Sequence, residues 1–174
     1  MPLYIIELLC NKLISNKIHD RGSGKNLGSS DVVMMNNEEL VYYSSVGMIF
    51  VSVVAFVAEV LGLSIPYGRY SQSSGSGWGF KLPARTAWVL MESPTLYTVA
   101  YMLLKGRNEC ITNPANKILI AMFVIHYVHR ALIFPFRMGH GAPMPVTVML
   151  LAFFYCFWNG CTQGLYLASV HSYE

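Results

Sequence analysis

Four long apolar stretches alternate with shorter polar connections along this chain. The stretches cover about residues 40–63, 84–104, 117–136 and 146–168. Each has roughly the 20 residues that a helix needs to cross a bilayer. The pattern therefore predicts an all-α membrane domain over residues 40–170, built as a bundle of about four transmembrane helices. Residues 1–39 mix basic residues with Gly, Ser and Asn, which indicates a poorly specified N-terminal tail.

Composition supports the membrane class and restricts the possible partners. The chain is 54% hydrophobic and 12% charged, whereas a soluble domain carries about 25% charged residues. The net charge of +3 is scattered without a basic run, so nucleic-acid binding has little support. The cysteines lack zinc-like spacing, and His126 and His129 have no further cluster to complete a site, so no metal is expected. Membrane lipid is the expected environment.

Glu92 lies within the second apolar stretch, where an ionisable side chain is costly and indicates function. Arg85 and Trp88 share its helix face at the i, i+3 and i+7 positions, and Trp88 could form the wall of a pocket for a flat apolar ligand. Glu92 could keep its proton and donate a hydrogen bond to a carbonyl group. Alternatively, it could pair with a basic group on a neighbouring helix. Pro94 predicts a kink or break just after Glu92.

The third stretch contains a polar cluster at residues 126–130, with His126 and Arg130 on one helix face and Tyr127 beside them. Such a cluster must face a cavity or other helices, because lipid cannot satisfy it. A tyrosine hydroxyl there could donate a hydrogen bond where negative charge develops on a ketone oxygen.

The fourth stretch carries one polar stripe on an otherwise apolar helix. The stripe comprises Tyr155, Asn159, Thr162, Gln163 and Tyr166. It is typical either of contacts between membrane helices or of a pocket wall that binds a ligand. Gly160 and Gly164 are four residues apart and predict a face that packs closely against another helix.

Five segments, in order, resemble the steroid 5α-reductase family, also called 3-oxo-5α-steroid 4-dehydrogenases. They are residues 82–88, 91–94, 126–130, 133–137 and 159–166, and the resemblance covers about residues 66–170. The Met-Glu-Ser-Pro and Phe-Pro-Phe-Arg runs are most similar to plant members linked to brassinosteroid synthesis.

The resemblance implies an NADPH-dependent, multi-pass enzyme of the endoplasmic reticulum membrane. Such an enzyme reduces the 4,5 double bond of a 3-oxo-Δ4-steroid. The implied fold has about seven helices, of which this chain would form the N-terminal part. The resemblance places catalytic residues at Glu92 and Tyr127, substrate-binding residues at Trp88 and Tyr155, and cofactor-binding residues at Asn159 and Gln163.

The resemblance also implies that most NADPH contacts belong to a C-terminal part of the family that this chain lacks. We therefore expect the chain alone to have little or no reductase activity. Two alternatives remain open. One is a polyprenal or enoyl reductase of the same superfamily, since the same residues suit any enone. The other is a non-catalytic sterol-binding membrane protein.

Overall fold

The computed structural model describes residues 36–62, 78–106, 108–139, 141–170 and 173. Within these ranges the chain is helical apart from short loops and one pair of two-residue strands. The helices are α1 (Asn37–Val60), α2 (Ala84–Lys105), α3 (Asn108–Thr112), α4 (Pro114–Arg137) and α5 (Val146–Val170). The strands are β1 (Lys81–Leu82) and β2 (Met144–Pro145). The predicted all-α membrane class is confirmed. Most of the predicted N-terminal tail, residues 1–35, lies outside the described residues.

Three helices, α1, α4 and α5, are long and apolar enough to cross a membrane. Helix α2, the remaining predicted span, has 22 residues but is not one of the three. Its sequence is too polar to qualify as a membrane span, because Glu92, Thr95 and Thr98 interrupt the apolar run. All three of these side chains are buried. Of the four predicted transmembrane helices, three therefore have the length and apolar composition of a span, while α2 buries its polar residues against the neighbouring helices.

Helix α1 begins at Asn37 because the residues around its start form a capping box. Asn36 Oδ1 accepts from the Glu39 backbone N–H at 2.8 Å, and Glu39 Oε2 accepts from the Asn36 N–H at 3.1 Å. Beyond this start, no residue of α1 is buried, so its apolar side chains are free to face lipid.

A polar contact attaches α1 to α5. The Trp158 indole N–H donates to Ser44 Oγ, which also lies 2.6 Å from Thr162 Oγ1. Gly47 lies under the Trp158 ring, where a Cβ atom would come within 2.9 Å of it. Hydrogen bonds between helices contribute about 0.6–1.7 kcal/mol in membranes, so this contact helps hold a helix that buries no side chain completely.

Helix α2 continues through Pro94, so of the predicted kink or break the break does not occur. Proline cannot donate to the carbonyl of Leu90, four residues earlier, and that carbonyl needs another partner. Ser93 Oγ donates to Leu90 O at 3.2 Å and supplies it. Thr98 Oγ likewise donates to Pro94 O at 2.9 Å. The polar side chains around Pro94 therefore keep the helix intact.

Helices α2 and α5 start next to each other, at the strand pair that precedes them, and run side by side in the same direction. Strands β1 and β2 pair antiparallel just before them, with Leu82 opposite Met144. Farther along, Gly160 packs against Thr95 and Thr98, and Gly164 packs against Val99 and Met102. The predicted close-packing glycine face is confirmed. It brings the two backbones close together and fixes the register of α5 against α2.

Substituting Gly160 tests how tightly this contact is packed. A Cβ at this position would lie 2.8 Å from the Thr95 Cα atom and would overlap Thr98 Oγ. Because backbone atoms cannot move aside as a flexible side chain can, we expect Gly160→Ala to lower the free energy of unfolding by about 1–3 kcal/mol. Thermal unfolding in detergent micelles, followed by circular dichroism, measures the change.

Gly139→Ala is the matched control. A Cβ there meets no atom within 4 Å. Its thermal midpoint should therefore stay at the parent value. Equal midpoints for both alanine variants would show that the α2–α5 contact is looser than these distances indicate.

Candidate active site

Glu92 forms an ion pair with Arg130 where α2 meets α4. Both Arg130 Nε and Nη2 lie 2.8 Å from Glu92 Oε1. The Glu92 side chain is 3% exposed, while the Arg130 side chain is 43% exposed. The other carboxylate oxygen, Oε2, accepts from Cys156 Sγ on α5 at 3.7 Å. The structure therefore favours the alternative in which Glu92 pairs with a basic group on a neighbouring helix.

Trp88 holds the Arg130 side of this pair in place. Its indole N–H donates to the Arg130 carbonyl at 3.1 Å, and the Arg130 guanidinium lies 5.4 Å from the centre of its ring. Phe134 packs on the same indole at 4.9 Å between ring centres. A cation above an aromatic face is stabilised by the ring quadrupole. Trp88 thus has a supporting role here, and its half-buried ring also remains a candidate surface for substrate.

The backbone of α4 changes its winding at this point. Residues His129–Ile133 form a π-helical turn, in which the Phe134 N–H donates to the His129 carbonyl. Such widened turns shift the side chains that follow and occur frequently at functional sites. Arg130 lies in this turn, so the local distortion of α4 helps aim it at Glu92.

The hydroxyl group of Tyr127 forms a hydrogen bond with Asn159 and not with Glu92. Asn159 Nδ2 donates to the Tyr127 hydroxyl oxygen at 2.7 Å, and both side chains are half-buried. Phe123 and His126 pack against the Tyr127 ring, with ring centres 4.6 and 5.2 Å away. Because Asn159 supplies a donor, the hydroxyl proton of Tyr127 remains available for an acceptor.

Two residues of α5 bring the ion pair and the tyrosine into one cluster. Cys156 contacts Glu92, and Asn159, one helical turn later, contacts Tyr127. On α4, Tyr127 and Arg130 are likewise one turn apart. Three helices therefore converge on one polar cluster, which contains both predicted catalytic residues. Each of the two has its own partner.

Tyr155 and Gln163 lie away from this cluster, in a groove between α1 and α5. The groove has a volume of about 490 Å³. Tyr155 is 38% exposed, and its hydroxyl lies 3.2 Å from Ser52 Oγ on α1. The predicted polar stripe of α5 is therefore divided, because Asn159 faces α4 while Tyr155 and Gln163 face α1.

The two residues predicted to bind a dinucleotide, Asn159 and Gln163, lie in different places. The Asn159 amide nitrogen is occupied by Tyr127, and the described residues lining the groove at Gln163 include no Lys or Arg. Within the described ranges, no group of three or more His, Cys, Asp and Glu side chains could hold a metal ion.

Comparison with known proteins identifies the family. No protein-family model matches the chain. The bovine 3-oxo-5-alpha-steroid 4-dehydrogenase 1 is 44% identical over 111 residues, which cover 62% of this chain and 42% of the relative. The rat enzyme of the same name is 35% identical over 136 residues, covering 78% and 49% of the two chains. This chain belongs to the steroid 5α-reductase family. It spans about half the length of the curated relatives that it matches.

Plant and animal members are both among the relatives of this steroid 5α-reductase homologue. The cotton Steroid 5-alpha-reductase DET2 is 27% identical over 139 residues, covering 78% of this chain and 52% of the relative. The identities with the bovine and rat enzymes are higher. Overall sequence identity therefore does not favour the plant members, although the motif at residues 91–94 is most similar to theirs.

Sequence reasoning missed two members of the site in this reductase homologue. The sequence pattern places Arg130 only in a polar cluster and indicates no site role for Cys156. The spacing between Arg130 and Tyr127, one turn apart on a predicted helix, was the available signal that both face the same neighbours. For Cys156 no signal existed, because its contact with Glu92 joins residues 64 positions apart.

Proposed function

We propose that this chain forms the substrate-activating part of a steroid 5α-reductase in the endoplasmic reticulum membrane. The reaction would be reduction of the 4,5 double bond of a 3-oxo-Δ4-steroid. The observation that carries the proposal is the Tyr127 hydroxyl, which accepts from Asn159 at 2.7 Å and keeps its own proton for a ligand. The family membership supplies the class of substrate, by the names of the relatives.

Tyr127 is the proposed donor to the C3 ketone of the steroid. Adding hydride to C5 of a conjugated enone moves electron density onto the ketone oxygen. A positioned hydroxyl stabilises that charge as it develops, and more strongly in a site sheltered from water. The aromatic packing of Phe123 and His126 fixes the ring that carries this hydroxyl.

Glu92 is proposed to act through its ion pair with Arg130. A carboxylate that accepts from both Arg130 and Cys156 has no proton to give to a ketone. Instead it anchors the guanidinium, whose positive charge lies one helical turn from Tyr127 and favours negative charge on a nearby oxygen. Glu92 therefore supports the site electrostatically while Tyr127 makes the contact.

Trp88 and Tyr155 are proposed to contact the hydrocarbon body of the substrate. Both present partly exposed aromatic surface, Trp88 beside the ion pair and Tyr155 at the α1–α5 groove. Flat aromatic rings suit the rigid faces of a steroid, and their apolar area provides binding without fixing which steroid is preferred.

NADPH is the proposed reductant. Asn159 contacts Tyr127, and the described lining of the groove at Gln163 has no Lys or Arg, so we assign to these residues the activation of the ketone and not the delivery of hydride. We accordingly expect little or no NADPH oxidation by the 174-residue chain on its own.

A microsomal assay with NADPH and testosterone, a 3-oxo-Δ4-steroid, tests the proposal. The chain would be expressed alone and joined in frame to the part of the bovine relative beyond the matched segment. We expect 5α-reduced product from the joined form and little or none from the chain alone. Full turnover by the chain alone would contradict the expected absence of a cofactor site.

A parallel reaction with a polyprenal distinguishes the proposed steroid reductase from the main alternative, a polyprenal or enoyl reductase. Turnover of the polyprenal but not of testosterone would indicate a different reductase of the superfamily. Absence of turnover in every form, together with retained binding of tritiated testosterone, would support a non-catalytic sterol-binding protein.

A further inference from the structure

Asn159 controls the direction in which the Tyr127 hydroxyl points its proton. A phenolic O–H prefers to lie in the plane of its ring, which gives it two orientations related by a half-turn about the C–O bond. Asn159 Nδ2 lies 2.7 Å from the oxygen and donates to it. The proton cannot also point at this N–H group, so it takes the orientation directed away from Asn159.

The environment makes this selection effective. Asn159 and Tyr127 are both half-buried between α5 and α4, so bulk water competes poorly for the hydroxyl. The position of Asn159 is itself fixed, because the adjacent Gly160 packs directly against Thr95 and Thr98 of α2. A helix held this firmly presents the amide to Tyr127 at a constant distance and angle.

We propose that Asn159 is a positioning residue, which orients the Tyr127 proton toward the ketone oxygen of a bound substrate. The proposal rests on the function assigned above, in which Tyr127 donates to the ketone. It gives Asn159 a role within the substrate site, in place of the cofactor contact that the family resemblance implies. Preorganised donors are effective because they need no reorientation when charge develops.

Asn159→Asp tests the inference with nearly unchanged side-chain shape. The carboxylate that this substitution introduces accepts a hydrogen bond, so the Tyr127 proton should turn toward it and away from the substrate. Asn159→Gln keeps the amide donor and should preserve part of the wild-type behaviour. Thr147→Val is the control, because it removes a hydrogen bond to Trp78 O at the start of the same helix.

The first readout is the hydroxyl itself, without substrate. The purified chain in detergent micelles, labelled with ¹³C at tyrosine Cζ, reports the hydrogen bonding of Tyr127 by its chemical shift. The resonance is assigned as the one lost in Tyr127→Phe. We expect Asn159→Asp to move it and Thr147→Val to leave it in place. An unmoved resonance in Asn159→Asp would overturn the inference, whatever the protein binds.

The second readout is the carbonyl of bound testosterone labelled with ¹³C at C3, measured by infrared difference spectroscopy. Hydrogen bonding lowers its stretching frequency. We expect Tyr127→Phe and Asn159→Asp to lose this lowering, Asn159→Gln to retain part of it, and Thr147→Val to retain it fully. Loss in Tyr127→Phe but full retention in Asn159→Asp would refute the positioning role alone. Retention in both variants, or no carbonyl shift in the parent chain, would refute the proposed function and with it this role.

Discussion

Arg130→Met is expected to lower the free energy of unfolding by about 3–5 kcal/mol, the cost of leaving a buried charge without its partner. The Glu92 carboxylate is 3% exposed, and one of its oxygens accepts a hydrogen bond from Arg130 Nε and forms an ion pair with Arg130 Nη2. Met fills a similar volume but offers no donor. The remaining contact, from the Cys156 thiol at 3.7 Å, is too weak to compensate. Denaturant unfolding in detergent micelles, followed by circular dichroism, measures the loss.

Replacing Glu92 and replacing Arg130 should lower the free energy of unfolding by unequal amounts, which provides an internal control. Glu92→Gln leaves a guanidinium that is 43% exposed and can reach water, so its cost should be clearly smaller than that of Arg130→Met. The double variant carries no unpaired charge and should recover most of the stability lost in Arg130→Met. Equal stabilities for the parent and Arg130→Met would mean that the Glu92 carboxylate does not depend on this partner.

The sequence predicts the residues of this site but not their partners. The cost of an ionisable group in an apolar stretch singled out Glu92 and Tyr127, and the structure places both in one cluster. Their separate partners could not be predicted. Asn159 lies 32 residues from Tyr127 along the chain, and Arg130 lies 38 residues from Glu92. Contacts at such separations depend on the rotation of three helices about their axes, which helical periodicity alone does not fix.

The fold could likewise be predicted only in part. Apolar length predicted where α1, α4 and α5 lie, because the bilayer sets the number of residues that a spanning helix needs. Of the kink or break expected at Pro94, the break does not occur, because Ser93 satisfies the carbonyl that proline leaves free, a compensation that requires its particular rotamer. The glycines of α5 predicted a close helix contact correctly. Their partner, α2, became evident only from the paired strands that start both helices together.

Tyr127→Phe is expected to reduce kcat for testosterone reduction by about 10²–10³-fold, the usual effect of removing one donor from a site that stabilises an oxyanion. The assay uses the chain joined to the remaining part of the bovine relative. KM should change little, because the neutral ketone of the ground state gains less from the hydroxyl than the charged oxygen of the transition state. A parallel loss in kcat and kcat/KM is the signature of a contact made mainly in the transition state.

Tyr97→Phe provides the matched control, because it removes the same hydroxyl from a tyrosine of α2 that is 56% exposed. Its kcat should stay within about twofold of the parent value, since exposed positions away from the site contribute little. A similarly small effect of Tyr127→Phe would remove the tyrosine as donor and return that role to Glu92. Glu92 would then have to carry a proton, which requires Arg130 to release it. If Glu92 were the donor, the Arg130→Met variant should preserve kcat, whereas the ion-pair mechanism predicts that this variant lowers it.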